Sequence, residues 1–417
     1  MNLFLLVWNY LKSKPLNTVL NIVLLALGIA VITVLLLFNK QVEEKISSNA
    51  KGIDLVVGAK GSPLQLILCN IFHIDFPTGN INLKEAERIA KNRLIKRVIP
   101  LALGDSYQGF RIVGTNKGYA ELYDAQLAQG DWWKEDMEVT LGANVAETLK
   151  LSIGGKFEST HGLTLTGHSH EDNQFEVKGI LRQTNTVLDN LILTSIESIW
   201  FVHEEHDEDA EHEVEHLSDS IFVPSKLVDS HPQGDSTKEV TSLLIQYRSP
   251  MAAIQLPRFI NGQSSLQAAS PAFETARLFT ILGVGVDIFM GFAYILIFIS
   301  ALSIFIALYN SLKERRYDLA IMRSMGASRS KLFISVLLEG GTLTLLGSII
   351  GLFLAHGILL VLAFVVAETR KAGISGIVFY TEEWIILAGS LFLGVLCALL
   401  PALQAYRTDI SKVLSGN

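Results

Sequence analysis

The chain has 417 residues, 49% hydrophobic and only 18% charged, with a formal net charge of −7. A mean hydropathy of +0.37, with charged residues below the usual share of about a quarter, excludes a wholly soluble protein and points to a membrane protein carrying at least one soluble domain. The charge is segregated: residues 39–275 hold 33 acidic and 21 basic residues and nine of the ten histidines, while the rest holds 8 acidic and 13 basic.

In chain order, the first apolar run is NTVLNIVLLALGIAVITVLLLF, residues 17–38, with no charge in it. A bilayer crossing takes about 20 helical residues. The run is longer than a signal-peptide core and lacks a cleavage-site pattern, so residues 1–38 are expected to form an amphipathic segment and a retained first span.

Residues 39–276 read as a mixed α/β domain. The stretch DLVVGAKGSPLQLILCNIFHIDFPTGNI (54–81) predicts turns around a short apolar helix, on a surface facing either substrate or a second protomer. INLKEAERIAKN (81–92) has helical apolar spacing, and IKRVIPLAL, YQGFRIVGT and TSLLIQYR (241–248) read as strands. LGANVAETLKLSIGGKFE and FEVKGILRQT are short apolar alternations separated by Gly, which predict a β-rich insert. GHSHEDNQ (167–174) and the polar run from His203 to about Lys238 offer little apolar surface to bury and are expected to be loops. The two cysteines, Cys69 and Cys397, sit in segments of opposite character, so no disulfide framework is implied.

The second span is expected within 277–310, a connecting loop at 311–331, and the third and fourth spans with the tail in 332–417. The fold class is therefore four transmembrane α-helices with a large mixed α/β extracytoplasmic domain between helices 1 and 2. The 311–331 loop carries six Lys/Arg against two acids. Together with Lys12, Lys14, Arg407 and Lys412 it predicts both termini on the cytoplasmic side of the membrane. In the third span, Gly347 and Gly351 form a GxxxG that suggests a dimer contact. His356 reads as a neutral, locally bonded histidine. Glu339 lies eight residues beyond Lys331, about 12 Å along a helix, and is expected to tie the span to the loop.

No GxxxxGK[ST], GxSxG or HExxH occurs, and the GGK at 154–156 is followed by Phe157 and lacks the upstream glycine. The chain is expected not to be an enzyme, and no nucleic-acid partner is expected. The strip HEEHDEDAEHEVEH (203–216) offers ligands for zinc or another divalent cation. His206 and His212 are six positions apart, roughly 240° around a helix, so one helix cannot gather all four histidines. Candidate ligands are His203, His206, His212 and His216 with His168 and His170 from the other polar loop; a solvated acidic loop that binds nothing is the alternative.

The 311–331 loop has helical apolar spacing at Leu312, Leu319, Ile321, Met322 and Met325, with Gly326 as a stop. It reads either as a topological anchor or as a short helix that docks in a groove on a cytoplasmic partner. The string ERRYDLAIMRSMGAS, followed by Glu339 and Gly340, resembles the MacB/FtsX/LolE-type permeases of ABC systems. WNYLKSKPLNTVLNIVLLALGIAV, VTLGANVAETLKLSIGGKFE and PALQAYRTDISKVLSGN resemble that family's first span, periplasmic domain and closing segment. Ile410 and Ser411 depart from it, since a Pro often follows the tail Arg there.

The resemblance implies a permease subunit that pairs with an identical or related protomer and binds a separate cytoplasmic ATPase. Hydrolysis on the ATPase would move the spans, and the spans would move the external domain to export or extract a substrate; a link to divalent metal handling is a further expectation. A periplasmic adaptor or binding protein and membrane lipid complete the expected partners. The alternative is an FtsX-like signal transducer that regulates an envelope enzyme without transport. By position, the resemblance assigns ATPase coupling to Glu314, Arg315, Arg316, Arg323, Gly326, Ala327 and Glu339. Reversing the charges of Arg315 and Arg316 is expected to uncouple the ATPase without unfolding the protein.

Overall fold

The computed structural model describes residues 3–161, 169–202, 238–263, 265–365 and 373–407. The chain opens with α1 (Leu3–Ser13), whose Val7 and Leu11 are buried, and α2 (Pro15–Asn49). At about 1.5 Å per residue α2 exceeds the roughly 30 Å hydrocarbon core. The apolar run 17–38 is thus the lipid-length part of a longer helix, because the polar continuation NKQVEEKISSN contains no Pro or Gly to stop it.

The elements that follow are β1 (Leu55–Ala59), α3 (Pro63–Asn70), β2 (Ile81–Asn82), α4 (Leu83–Ala90), β3 (Ile95–Tyr107) and β4 (Phe110–Thr115). Then come α5 (Lys117–Leu122), β5 (Leu127–Gly130), β6 (Glu138–Leu141), α6 (Ala143–Leu149), β7 (Lys156–His161), β8 (Ser169–Leu181) and β9 (Leu191–Thr194). β10 (Glu239–Val240), β11 (Ser242–Tyr247), α7 (Ala252–Gln263) and β12 (Leu266–Ala269) complete the domain. Among the described residues, ten strands form one sheet in the order β12-β1-β11-β3-β4-β9-β6-β8-β5, with β7 joined to β3 and β8. β4–β9 and β6–β8 are parallel and the other pairs antiparallel, so the sheet is mixed.

Strand alternation sorts the core into two faces. Val56, Ile99, Leu101 and Leu244 pack with Leu66 and Ile67 of α3 on one side. Leu55, Val57, Leu243 and Ile245 pack with Ala86 and Ile89 of α4 and with Leu256 and Ile260 of α7 on the other. Leu55–Val57, Leu66, Ile67, Cys69 and Ile71 of the 54–81 stretch belong to the core, while Ile74 and Phe76 are its exposed large apolar side chains. Within it, the buried Arg111 guanidinium donates to Cys69 Sγ at 3.4 Å and to the Asp75 carbonyl at 2.8 Å. His73 Nε2 lies 2.8 Å from the Tyr119 hydroxyl. Burial, with the Arg111 charge beside it, pushes the His73 imidazole well below its ordinary range and keeps it neutral.

Two expectations for the insert are corrected. VAETL lies in a helix, α6, which runs from Ala143 to Leu149 between Gly142 and a left-handed Lys150. Residues 170–174, expected in a loop, belong to β8, whose backbone pairs with β7 in a register that joins Thr160 to Ser169. Ladder hydrogen bonds depend on the backbone alone, so polar composition did not prevent the strand.

The remaining helices are α8 (Pro271–Glu314), α9 (Arg316–Ser324), α10 (Arg329–Val365) and α11 (Glu382–Arg407). Among the described residues, four helices are long and apolar enough to cross a membrane: α2, α8, α10 and α11. The chain divides into two compact units, residues 44–279 and residues 1–43 with 280–417.

In the helical unit, α10 is the shared partner. A Cβ added at Gly347 would meet the Leu25 side chain at 2.9 Å, and one at Gly351 would meet the Ala26 carbonyl oxygen at 2.8 Å. The GxxxG thus packs against α2 of the same protomer, which corrects its reading as a dimer contact: small residues let two backbones approach, whichever chain carries them. On another side of α10, Gly340 approaches Ala398 and the Gly394 carbonyl of α11. His356 is bonded to partners distant in sequence, with Nδ1 2.7 Å from the Gly376 carbonyl and Nε2 2.9 Å from Glu383 Oε2. Gln41 of α2 holds the same connection by two hydrogen bonds to the Ser375 backbone, at 2.9 and 2.7 Å.

Candidate functional site

The loop between α8 and α10 folds as the short helix α9, with no side-chain cap at its start and a backbone cap at its end. Arg315 is the N-cap residue, and Met325 caps the C-terminus with its N–H on the Arg323 and Ile321 carbonyls. Gly326 follows at φ +97°, a conformation that favours glycine. Its N–H bonds the Arg323 carbonyl at 3.0 Å, and the Ala327 N–H bonds the Met322 carbonyl at 3.0 Å. Gly326 is the stop that the sequence indicates, and α10 restarts three residues later.

The apolar residues of this loop divide by direction. Leu319 joins Leu312, Leu332, Val336, Ala402 and Ala405 in a small core that fixes α9 against α10 and α11. Met325 points the other way and is 81% exposed, beside the exposed Tyr317 and Asp318. The result is a short helix fastened on one side and presenting a mixed aromatic, acidic and thioether surface on the other.

Charged contacts fix the root of α9. The Arg315 guanidinium pairs with the Glu339 carboxylate, Nη1 to Oε2 at 3.3 Å, with both side chains largely buried. It also lies over the Tyr10 ring at 3.7 Å, a cation–π contact. Burial pushes the Tyr10 phenol above its ordinary range, against the lowering effect of Arg315. Glu314 pairs with Lys14. Of the residues assigned by resemblance, the structure brings together Glu314, Arg315 and Glu339. Arg316 opens α9 and Arg323 stands in its last turn, while Gly326 and Ala327 form the turn after it. Tyr10 and Lys14 are members of the cluster that the sequence reading did not select. Tyr10 lies in α1 and Lys14 at the bend between α1 and α2, and their partners lie some 300 residues on.

Of the candidate metal ligands, His168, His203, His206, His212 and His216 lie outside the described residues, and the backbone of His170 is in β8. Among the described residues no three His, Cys, Asp or Glu side chains gather as a metal would require. The GGK of 154–156 forms a turn whose Gly154 N–H bonds the Val177 carbonyl at 2.8 Å.

The family model for the MacB-like periplasmic core domain matches residues 18–249, more than half of the chain. That for the FtsX-like permease C-terminal region matches residues 290–410, the part holding α9 and Glu339. The chain belongs to the MacB/FtsX permease family. An uncharacterized ABC transporter permease of Methanocaldococcus jannaschii is 29% identical to this permease over 144 residues, 33% of this chain and 34% of that protein. The match thus spans about a third of that relative's length. Among solved structures, the periplasmic region of MacB from Actinobacillus actinomycetemcomitans is 11% identical, with a TM-score of 0.33, over 56% of this chain and 97% of that one. The extracellular domain of the noncanonic ABC-type transporter YknZ from Gram-positive bacteria is 13% identical, with a TM-score of 0.30, over 52% and 99%. This MacB/FtsX permease is a multi-pass membrane protein with its α/β domain inserted between the first and second spans.

Proposed function

We propose that this chain is the permease subunit of an ABC transporter in the bacterial inner membrane, with both termini and α9 on the cytoplasmic side. A separate ATPase binds α9, and its hydrolysis cycle moves the spans and, through them, the extracytoplasmic domain, which exports or extracts a substrate. A second protomer, identical or related, completes the membrane unit. The observation that carries this reading is α9 itself: a short helix fastened by Leu319 and by Arg315–Glu339 that leaves Tyr317, Asp318 and Met325 exposed. A helix held so can transmit a push to α10 rather than yield to it. The positive charge of its loop supports the cytoplasmic placement.

The test is site-directed cross-linking in native membranes. With Cys69 and Cys397 replaced by Ala, Met325→Cys is expected to form an adduct with a chain that contains GxxxxGK[ST], identified by mass spectrometry. An adduct with no such chain, while the introduced thiol remains reactive to a small maleimide, would sink the proposal.

A further inference from the structure

Two polar faces meet inside the helical unit where apolar side chains would be expected. On α2, Asn17 and Asn21 are four residues apart and share a face; on α8, Ser303 and Asn310 are seven apart and share another. They line a cavity of about 390 Å³ at the end of the bundle that carries α9. Ser303 Oγ donates to Asn21 Oδ1 at 2.5 Å, which orients the Asn21 amide so that its NH₂ remains a donor. The Ser311 hydroxyl, on the same wall, is buried and has no hydrogen-bond partner among the described residues. A buried hydroxyl without a partner calls for a ligand or water.

The charge of the lining indicates the ligand. Lys14, Lys313 and Arg315 line the cavity together with Glu314 and Glu339, an excess of one positive charge. Arg315 is committed to Glu339. The Lys14–Glu314 pair is 37% and 60% exposed, and such a pair is worth at most about 1 kcal/mol, little enough to exchange for a better anion. The surroundings indicate that this anion carries a tail. α1 beside the cavity exposes Phe4, Leu5 and Trp8, the pattern of a helix lying at the boundary of headgroups and acyl chains. Leu20 and Ile306 line the cavity and are themselves exposed, as is Leu302 one turn from Ile306.

We propose that this cavity holds the phosphate headgroup of one anionic phospholipid per protomer, with its acyl chains along Leu20, Leu302 and Ile306. The phosphate oxygens accept from Lys14, Lys313 and the Asn21 amide, the chemistry of a basic pocket between membrane helices. Because Glu314 and Arg315 belong to both this cavity and the root of α9, the lipid stabilises one arrangement of that root. Any effect on ATPase coupling rests on the function proposed above; the binding does not.

The experiment is native mass spectrometry of the full-length protein in neutral detergent, titrated with phosphatidylglycerol or phosphatidylcholine. Phosphatidylglycerol is expected to bind about tenfold more tightly or better, and Lys14→Gln with Lys313→Gln to remove that preference, at roughly 1 kcal/mol per cation. Asn21→Leu, which fills the cavity without changing charge, is expected to weaken phosphatidylglycerol as well. Arg329→Gln with Lys331→Gln, in the first turn of α10 and outside the cavity, is expected to leave binding intact. Equal binding of the two lipids, or equal losses in the outside and cavity variants, overturns the proposal. Displacement of the lipid by millimolar inorganic phosphate assigns the site to the free anion and overturns the lipid assignment; retention supports it.

Discussion

Arg315 and Glu339, 24 residues apart in sequence, form a largely buried ion pair at 3.3 Å that joins the start of α9 to α10. Breaking such a pair from one side leaves an uncompensated charge, and the energetic consequence is large. Glu339→Ala is expected to lower stability by about 3 kcal/mol, and Glu339→Gln by less because its amide oxygen still accepts from the guanidinium. Thermal unfolding in detergent reads both. The swap Arg315→Glu with Glu339→Arg is expected to recover part of the loss, and an additive double mutant would show that the pair is not coupled. The expectation that reversing Arg315 uncouples without unfolding therefore needs correction, since this side chain also supports the fold.

The turn after α9 depends on Gly326. Nothing lies within 4 Å of an added Cβ there, so Gly326→Ala meets no clash and its cost is purely conformational. At φ +97° that cost is about 1–2 kcal/mol, with Gly326→Asn milder because Asn tolerates positive φ better than Ala. A melting temperature unchanged by Ala would mean that the turn relaxes to another conformation.

Close helix approach at Gly351 makes a steric prediction. Gly351→Val pushes against the Ala26 carbonyl and Ile29 and is expected to cost about 1–3 kcal/mol through overpacking. Gly357→Ala on the same helix has open space around it and is expected to raise stability by up to about 1 kcal/mol through helix propensity. Comparable effects of the two would remove the packing explanation.

A pH prediction comes from the α/β domain. Burial disfavours the Glu138 carboxylate, but the Lys134 and Glu135 backbone N–H groups, at 2.8 and 3.0 Å, and Lys178 outweigh it and hold Glu138 below its ordinary 4.5. A lowered folded pKa contributes stability that is fully present above the unfolded value and is lost as pH falls through the folded one. The stability difference between the wild type and Glu138→Gln should be constant near neutrality and shrink below about pH 4.5. Unfolding scans across that range check it; a difference that grows on acidification would contradict the assignment.

The run 17–38, the basic loop and the Gly326 stop were legible because each is a local property: length of apolar helix, charge asymmetry, and one backbone conformation. The strands around Val56, Ile99 and Leu244 were legible through alternation, though the alternation did not order them into one sheet. Periodicity misread α6 and polar composition misread the start of β8, since short segments take their structure from the ladder or packing they join.

By itself the sequence determined a four-span chain with an acidic α/β insert, its expected orientation, and where the loop helix ends. These follow from hydrophobic length, charge and local backbone freedom, which need no partner to be evaluated. Only the tertiary structure decided that Gly347 and Gly351 serve α2 of the same chain, that His356 bonds Gly376 and Glu383, and that Tyr10, Lys14, Arg315 and Glu339 share one end of the bundle. Those contacts join residues between 20 and 325 positions apart in the chain, and their energies exist only once the helices have packed.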